Sequence, residues 1–355
     1  MRSPSRRFAI AALVLVHVAV ALAGFLAPNH FAEQHRGQPL SPPMRLRFVD
    51  EQGRFRPRPF VHPWEARNGL QYREDRGRRL PVRFWVEGSE YRILGVVPGR
   101  RHLLGLDDAE PLFLLGTDSY GRDCLARLLQ GGQVSLAAGL LATLVSCGLA
   151  LLLGGLSGYR GGWTDAAIMG VCDLFLALPW LYLLFAVRAF LPLDLEPGRA
   201  FGIIVLVLGV IGWARPGRLV RGVVLSAKER EFVVAARAFG ARDGYILWNH
   251  VLPQALGVLL TQAALLVPTY VLAEVTLSFV GLGVEEPLPS WGTMLASLQE
   301  YHVLSTAWWM FAPGVALVAV TWLYHSCLAP PAASEEGGGL LARETIGSRR
   351  GDALG

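Results

Sequence analysis

Residues 226–253 read SAKEREFVVAARAFGARDGYILWNHVLP. The spacing predicts a first helix over 227–239. Gly240 is placed to end it, since glycine adopts the left-handed cap conformation cheaply. Asp243 is placed as the N-cap of a second short helix. Pro253 suits the first turn of whatever helix follows. Ala235 and Ala236 offer a small-residue face that lets another backbone come close. The stretch is thus a helix–turn–helix elbow. Its flanks are strongly apolar on both sides, which places the elbow at a membrane surface.

Working outward, six apolar runs approach the roughly 20 residues that a membrane helix needs. They are 8–27, 133–158, 166–187, 200–214, 254–284 and 303–324. The runs 133–158 and 303–324 carry no charge, 166–187 carries Asp173, and 254–284 carries Glu274. The first run also has the basic start and Ala21-Leu22-Ala23 site of a signal peptide. Its apolar character continues to Ala27 and five more runs follow, so it reads as a span. Six spans put both termini on one side. Arg2, Arg6 and Arg7, the seven basic residues of 215–250, and Arg343, Arg349 and Arg350 mark that side as cytoplasmic. Residues 28–112 then lie outside. Their 15 arginines do not count against this, because long loops escape the rule and this one also holds 11 acids.

The expected fold is an all-α polytopic membrane protein: six transmembrane helices with a small β-rich periplasmic insert after the first. Its parts are a cytoplasmic end and first helix (1–27), the insert (28–112), a transmembrane domain (113–328) carrying the elbow, and a disordered cytoplasmic tail (329–355). In the insert, Val82, Phe84 and Val86 alternate with Arg83, Trp85 and Glu87. This predicts a strand, a turn at Gly88-Ser89, and a return strand from Tyr91 to Val97. The insert reads either as a spacer packed on the membrane domain or as a contact for a soluble partner.

Composition excludes other classes. The 355 residues are 52% apolar and only 17% charged, unlike a soluble or disordered chain. The net charge of +5 is carried by arginines in no nucleic-acid recognition pattern, and Lys228 is the only lysine. A phosphate-binding G-x-x-x-x-G-K-[ST] loop is therefore impossible in this sequence. No H-E-x-x-H or G-x-S-x-G motif supports a membrane enzyme. Four scattered cysteines give neither a disulfide frame nor a zinc site.

Several blocks occur in a telling order. Ala235-Ala236, Gly240, His250 and Leu252-Pro253 resemble the "EAA" loop of ABC-importer permeases. LGTDSYGRD at 115–123 resembles the LGTDxxGRD segment of the dipeptide and oligopeptide permeases, and GYRGGWTD at 158–165 resembles their GYxGGWxD loop. LVRG at 219–222 with KEREF at 228–232, LSFVGLG at 277–283 and PSWGTML at 289–295 are similar to further blocks of that family. Together they cover about residues 112–325. Two features depart from the pattern. Val234 stands in place of the family's glutamate, and the family's closing GDGLRDxLDP is absent.

The resemblance implies a bacterial inner-membrane, multi-pass permease subunit of a binding-protein-dependent importer, with short peptides as cargo. It implies no catalytic site and no cofactor on this chain, ATP and magnesium belonging to two separate ATP-binding subunits. Further implied partners are a second homologous permease, a periplasmic or lipid-anchored substrate-binding protein and membrane lipid; nucleic acid is not among them. The ATPase-coupling loop would use Glu229, Arg230, Glu231, Ala235, Ala236, Gly240, His250, Leu252 and Pro253. Asp173 and Glu274, as intramembrane carboxylates, are pathway candidates. Glu274 reads equally as a buried acid paired to a neighbouring helix, and Asp173 as a residue near the cytoplasmic interface. Asp118, Arg122 and Asp123 read as a cap and local salt bridge, or as a substrate contact.

Overall fold

The computed structural model describes residues 4–68, 71–93, 95–106, 110–190 and 196–328. The tail expected to be disordered lies outside them. The chain opens with α1 (Pro4–Ala21) and the short α2 (Ala23–Leu26). Six strands follow: β1 (Arg47–Val49), β2 (Phe55–Val61), β3 (Trp64–Asn68), β4 (Gln71–Glu74), β5 (Leu80–Ile93) and β6 (Val97–Leu106). They make a four-stranded antiparallel sheet in the order β1-β2-β5-β6 and a separate β3-β4 pair. Met44, Val61, Leu80, Val82, Leu106, Leu112 and Phe113 form the core beneath the sheet.

The hairpin turn is not at Gly88-Ser89. β5 runs on through those residues to Ile93, with an irregularity between Glu87 and Tyr91, and turns just before β6. Gly88 serves another purpose: a Cβ there would meet the His102 ring at 2.7 Å.

The helical part starts with α3 (Cys124–Leu149), a π-helical turn (Ala150–Gly154) and α4 (Gly155–Arg160), together one apolar helix of 37 residues. Then come α5 (Gly162–Ala177), α6 (Trp180–Ala189), α7 (Pro197–Gly212), α8 (Ala214–Ala227), α9 (Glu231–Ala238) and α10 (Asp243–Ile246). A second π turn (Leu247–Val251) leads into α11 (Leu252–Phe279), followed by α12 (Trp291–Ala296), α13 (Tyr301–Thr306) and α14 (Ala312–Leu328).

The six spans expected from the sequence are found in part. Among the described residues, three helices are long and apolar enough to cross a membrane: Cys124–Arg160, Asp243–Phe279 and Trp308–Leu328. The number rises to five if two bent pairs each count as one span. The run 166–187 is broken by a 90° bend between α5 and α6. Leu178 precedes Pro179 and takes an extended conformation, as a residue before proline prefers. The 200–214 run likewise continues as α7 and α8 with a 43° bend. The last span begins at Trp308 rather than 303, because Ala307 leaves the helical region and buried Trp309 and Met310 pack against Leu40 and Cys124. α1 is not in the set of three to five.

Helices pack closely where side chains are absent. A Cβ on Gly154 would meet the Gly217 carbonyl oxygen at 2.4 Å, so only glycine permits α8 to approach the π turn this way. Polar groups join the helices elsewhere. Ser146 Oγ donates to Gly209 O (2.8 Å) and lies 2.6 Å from the Tyr270 hydroxyl, tying α3, α7 and α11 together.

Candidate functional site

The elbow sits between α8 and α11. Its first helix is shorter than the sequence suggests, because α8 extends to Ala227 and residues 228–230 turn before α9 begins. At the break Arg230 N donates to Ala227 O (3.2 Å), and the Lys228 Nζ donates to the Gly158 carbonyl (3.0 Å). α9 ends as expected. Gly240 has φ +80°, its N–H donates to Arg237 O and the Ala241 N–H to Ala236 O, completing a Schellman cap. Asp243 is the first residue of α10 rather than its N-cap, a position held by Arg242. Its carboxylate is engaged instead by Tyr159, whose hydroxyl donates to Oδ1 at 2.6 Å.

One face of the elbow is core. Val233, Ile246, Val251, Leu252 and Ala255 pack with Val220, Val224, Ala227, Cys147 and Ala150. Leu252 is therefore an internal residue. Ala236 packs against this cluster in part, and half-buried His250 has its ring 5.5 Å from Tyr245 and 6.4 Å from Phe232. The other face is open: Glu229, Arg230, Glu231, Ala235, Gly240 and Pro253 are exposed. So are large apolar side chains, with Phe239 92% and Val234 58% accessible beside exposed Tyr245 and Trp248. Val234 thus presents an apolar surface where the resembling family carries a charge.

The 158–165 loop braces the elbow, which spacing alone did not reveal. Arg221 binds Asp165 through two bonds of 2.5 and 2.6 Å, and Ser157 Oγ donates to the same carboxylate. Arg237 lies 3.4 Å from the Tyr159 hydroxyl and 3.7 Å from Asp243. The signal was present as the GYRGGWTD block, but no local rule pairs it with residues 221–243.

The two carboxylates within the apolar runs have different settings and, among the described residues, share no partner. Asp173 is exposed and pairs with Arg218 of α8. Glu274 is fully buried. Ser135 Oγ donates to its Oε2 (2.6 Å) and Ser278 Oγ to its Oε1 (2.7 Å). Ser135 also accepts from Trp291 N (3.2 Å), so the carboxyl joins α3, α11 and the start of α12. This geometry is that of a paired acid within a helix interface. Glu274→Gln, which keeps hydrogen bonding, is expected to retain most of the stability. Glu274→Leu should lose about 1–3 kcal/mol for each partner left unpaired. Unfolding of the purified variants in detergent checks this; equal losses in both would mean the serines do not need the acid.

At the other end of α3, the LGTD block is a junction. Thr117 Oγ1 donates to Gln38 O (2.6 Å) and accepts from Ser41 N (2.7 Å), while Trp309 Nε1 donates to Thr117 O (2.9 Å). Asp118 accepts from Arg122 Nε at 2.7 Å. Arg122 and Arg127 both hold Glu286, at 2.8 and 2.7 Å. Asp118 and Arg122 thus form the expected local bridge, and Arg127 and Glu286 extend it across the fold.

Asp123 is the expected N-cap of α3, accepting from Leu125 N (2.9 Å) and from Asn29 Nδ2 (3.0 Å). Burial pushes its carboxyl up to about 7, with the Asn29 and backbone bonds only partly opposing. A raised acid binds its proton more tightly folded than unfolded. Its contribution is present at low pH and is lost as pH rises from about 4, the unfolded value, to about 7. Wild type should therefore lose stability across this window more steeply than Asp123→Asn. Thermal unfolding at pH 5 and 7.5 measures it; parallel curves would remove Asp123 as the cause.

Comparison with known proteins follows the same lines. The family model described as "Binding-protein-dependent transport system inner membrane component" matches residues 150–327. A dipeptide transport system permease protein of Bacillus subtilis is 36% identical over 199 residues, covering 56% of this chain and 60% of that protein. An oligopeptide transport system permease protein of the same organism is 36% identical, covering 50% and 57%. A putative peptide permease protein of Brucella suis is 36% identical, covering 58% and 67%. The chain spans roughly three-fifths of the length of the first two. The family model covers half of the chain: the chain belongs to the family of binding-protein-dependent transport system inner membrane components.

Proposed function

We propose that the chain is a permease subunit of an ATP-driven importer of short peptides in a bacterial inner membrane. It spans the membrane six times, α1 and the two bent pairs included, with residues 28–112 outside. Cargo passes from a binding protein to a pathway between this chain and a second permease. The names of the similar proteins, dipeptide and oligopeptide permeases, support peptides as the cargo class.

The observation that carries the reading is the elbow. It buries one face in the bundle and leaves Val234, Phe239, Tyr245 and Trp248 exposed on the other. Such a patch suits a helix-in-groove contact. This sequence has no phosphate-binding loop, so energy must enter from another chain. Two ATPase subunits docked on the elbows of the two permeases would rock the helices as rigid bodies when they close on nucleotide.

Phe239→Asp tests this. The side chain is 92% exposed and contributes nothing to the core, so the variant should fold and insert normally. It should carry at least ten-fold less ATP hydrolysis per purified permease when co-expressed with its ATPase subunits. Undiminished hydrolysis would remove the elbow from energy coupling.

A further inference from the structure

The β5–β6 hairpin is long, and it does not stay with the sheet. Three contacts chart its course along α2. The Trp85 ring lies 5.3 Å from that of Phe25. His102 Nδ1 is 2.6 Å from the Ala27 carbonyl oxygen. The Tyr91 ring lies against Gly24, where a Cβ would meet it at 2.5 Å. From His102 to Tyr91 the hairpin therefore passes from Ala27 back towards Gly24.

Helix α3 supplies the depth scale. Asn29 is bonded to Asp123 at its start, and Val20 O accepts from Gln133 Nε2 (2.8 Å) further along. Tyr91 pairs with Gly99, and the strands continue to the Ile93–Val97 pair, roughly 7 Å further at about 3.4 Å per residue. Gly95 and Pro98 line the same cavity, of about 820 Å³, as Gln130 and Gln133. The tip thus reaches the level of Gln133, which opens the charge-free run 133–158.

The tip's chemistry fits that level. Val96 and Val97 are 78% and 56% exposed. Tyr91 stands two paired positions above Val97, as aromatic side chains do at a membrane–water boundary. Arg92 and Arg101 are exposed, and neither forms an ion pair with a carboxylate among the described residues. Arg92 is one paired position from the tip, and a guanidinium without a carboxylate partner beside an apolar tip suits lipid phosphates over acyl chains. We infer that this hairpin is a membrane anchor, with Ile93, Val96 and Val97 seated in the outer leaflet of the bilayer beside the first helix. The inference rests on the proposed topology, in which α1–α3 enter the membrane and residues 28–112 lie outside.

A depth measurement tests it. Val96→Cys and Val97→Cys would carry nitroxide labels in the complete transporter, in vesicles of phosphatidylethanolamine and phosphatidylglycerol. Cys327 is replaced by serine; Cys124, Cys147 and Cys172 are buried. Arg79→Cys is the reference, an exposed residue just before β5 at the end opposite the tip. Both tip labels should show an oxygen-to-nickel-chelate accessibility ratio at least five-fold above the reference. Ratios equal to the reference at both positions would overturn the anchor and leave the tip as a contact for a soluble protein. Depth is read whichever side the hairpin occupies. Impermeant maleimide on Arg79→Cys in intact cells reads the side separately, and absence of labelling there would overturn the topology instead.

Discussion

Arg127→Leu should cost the protein about 1–3 kcal/mol, the range for leaving a buried polar group short of a partner. The Arg127 side chain is 2% exposed, bonds Glu286 at 2.7 Å and lies 3.6 Å from Asp118. Its loss leaves buried Asp118 and half-exposed Glu286 to share Arg122, and water at Glu286 offsets part of the cost. Arg56→Leu is the control. Arg56 pairs with Asp50 at 3.3 Å but is 53% exposed, and such pairs contribute about 0–1 kcal/mol. Denaturant unfolding of both variants in one detergent gives the comparison. The double variant Arg127→Leu with Glu286→Gln should recover part of the loss, since it removes the stranded carboxylate. Equal losses in the Arg127 and Arg56 variants would reduce the network to a surface feature.

Gly240→Val should lower ATPase retention and uptake ten-fold or more. The residue has φ +80°, and no atom lies within 4 Å of a Cβ added there. The effect is therefore conformational and not a clash. An L-residue in this region loses about 1–2 kcal/mol, and a β-branched one more, which is about ten-fold in the population of the capped elbow. Gly240→Asn separates the two causes, because asparagine tolerates the left-handed region. It should retain uptake within about three-fold of wild type, given the smaller conformational cost. If asparagine fails as completely as valine, the space around the turn is filled by a partner and the conformational account is wrong.

What could be read from sequence followed from local chemistry. Gly240 was legible because a helix must end somewhere and glycine ends it cheaply. Asp123 was legible as a cap by its place before an apolar helix. The breaks were not. A hydropathy run measures apolar content, and content does not change where Pro179 turns the chain by 90°. The elbow's first helix was misjudged for a similar reason: residues 227–239 are all acceptable in a helix, and nothing local marks the turn at 228–230. The Arg127–Glu286 pair was invisible, since its members lie 159 positions apart. Glu274 shows the opposite limit. The sequence flagged it as unusual, but only its serine partners distinguish a paired acid from a lining one.

The bracing of the elbow has a mechanical consequence. A force applied at α9 has two routes into the bundle. One is covalent, through α10 and the π turn into α11. The other crosses space, through Lys228 to Gly158 and Tyr159 to Asp243, and reaches α4, with Arg221 to Asp165 carrying it to α5. The first route is a rod and transmits at any ionic strength. The second is a set of exposed or half-buried polar ties, of which Arg221–Asp165 joins two charges, and such a tie weakens as salt shortens its reach, about 8 Å at 0.15 M. The elbow thus works as a lever with one fixed arm and one sprung arm. Stiffness between α11 and the α4–α5 pair should fall with added salt while the elbow itself stays folded.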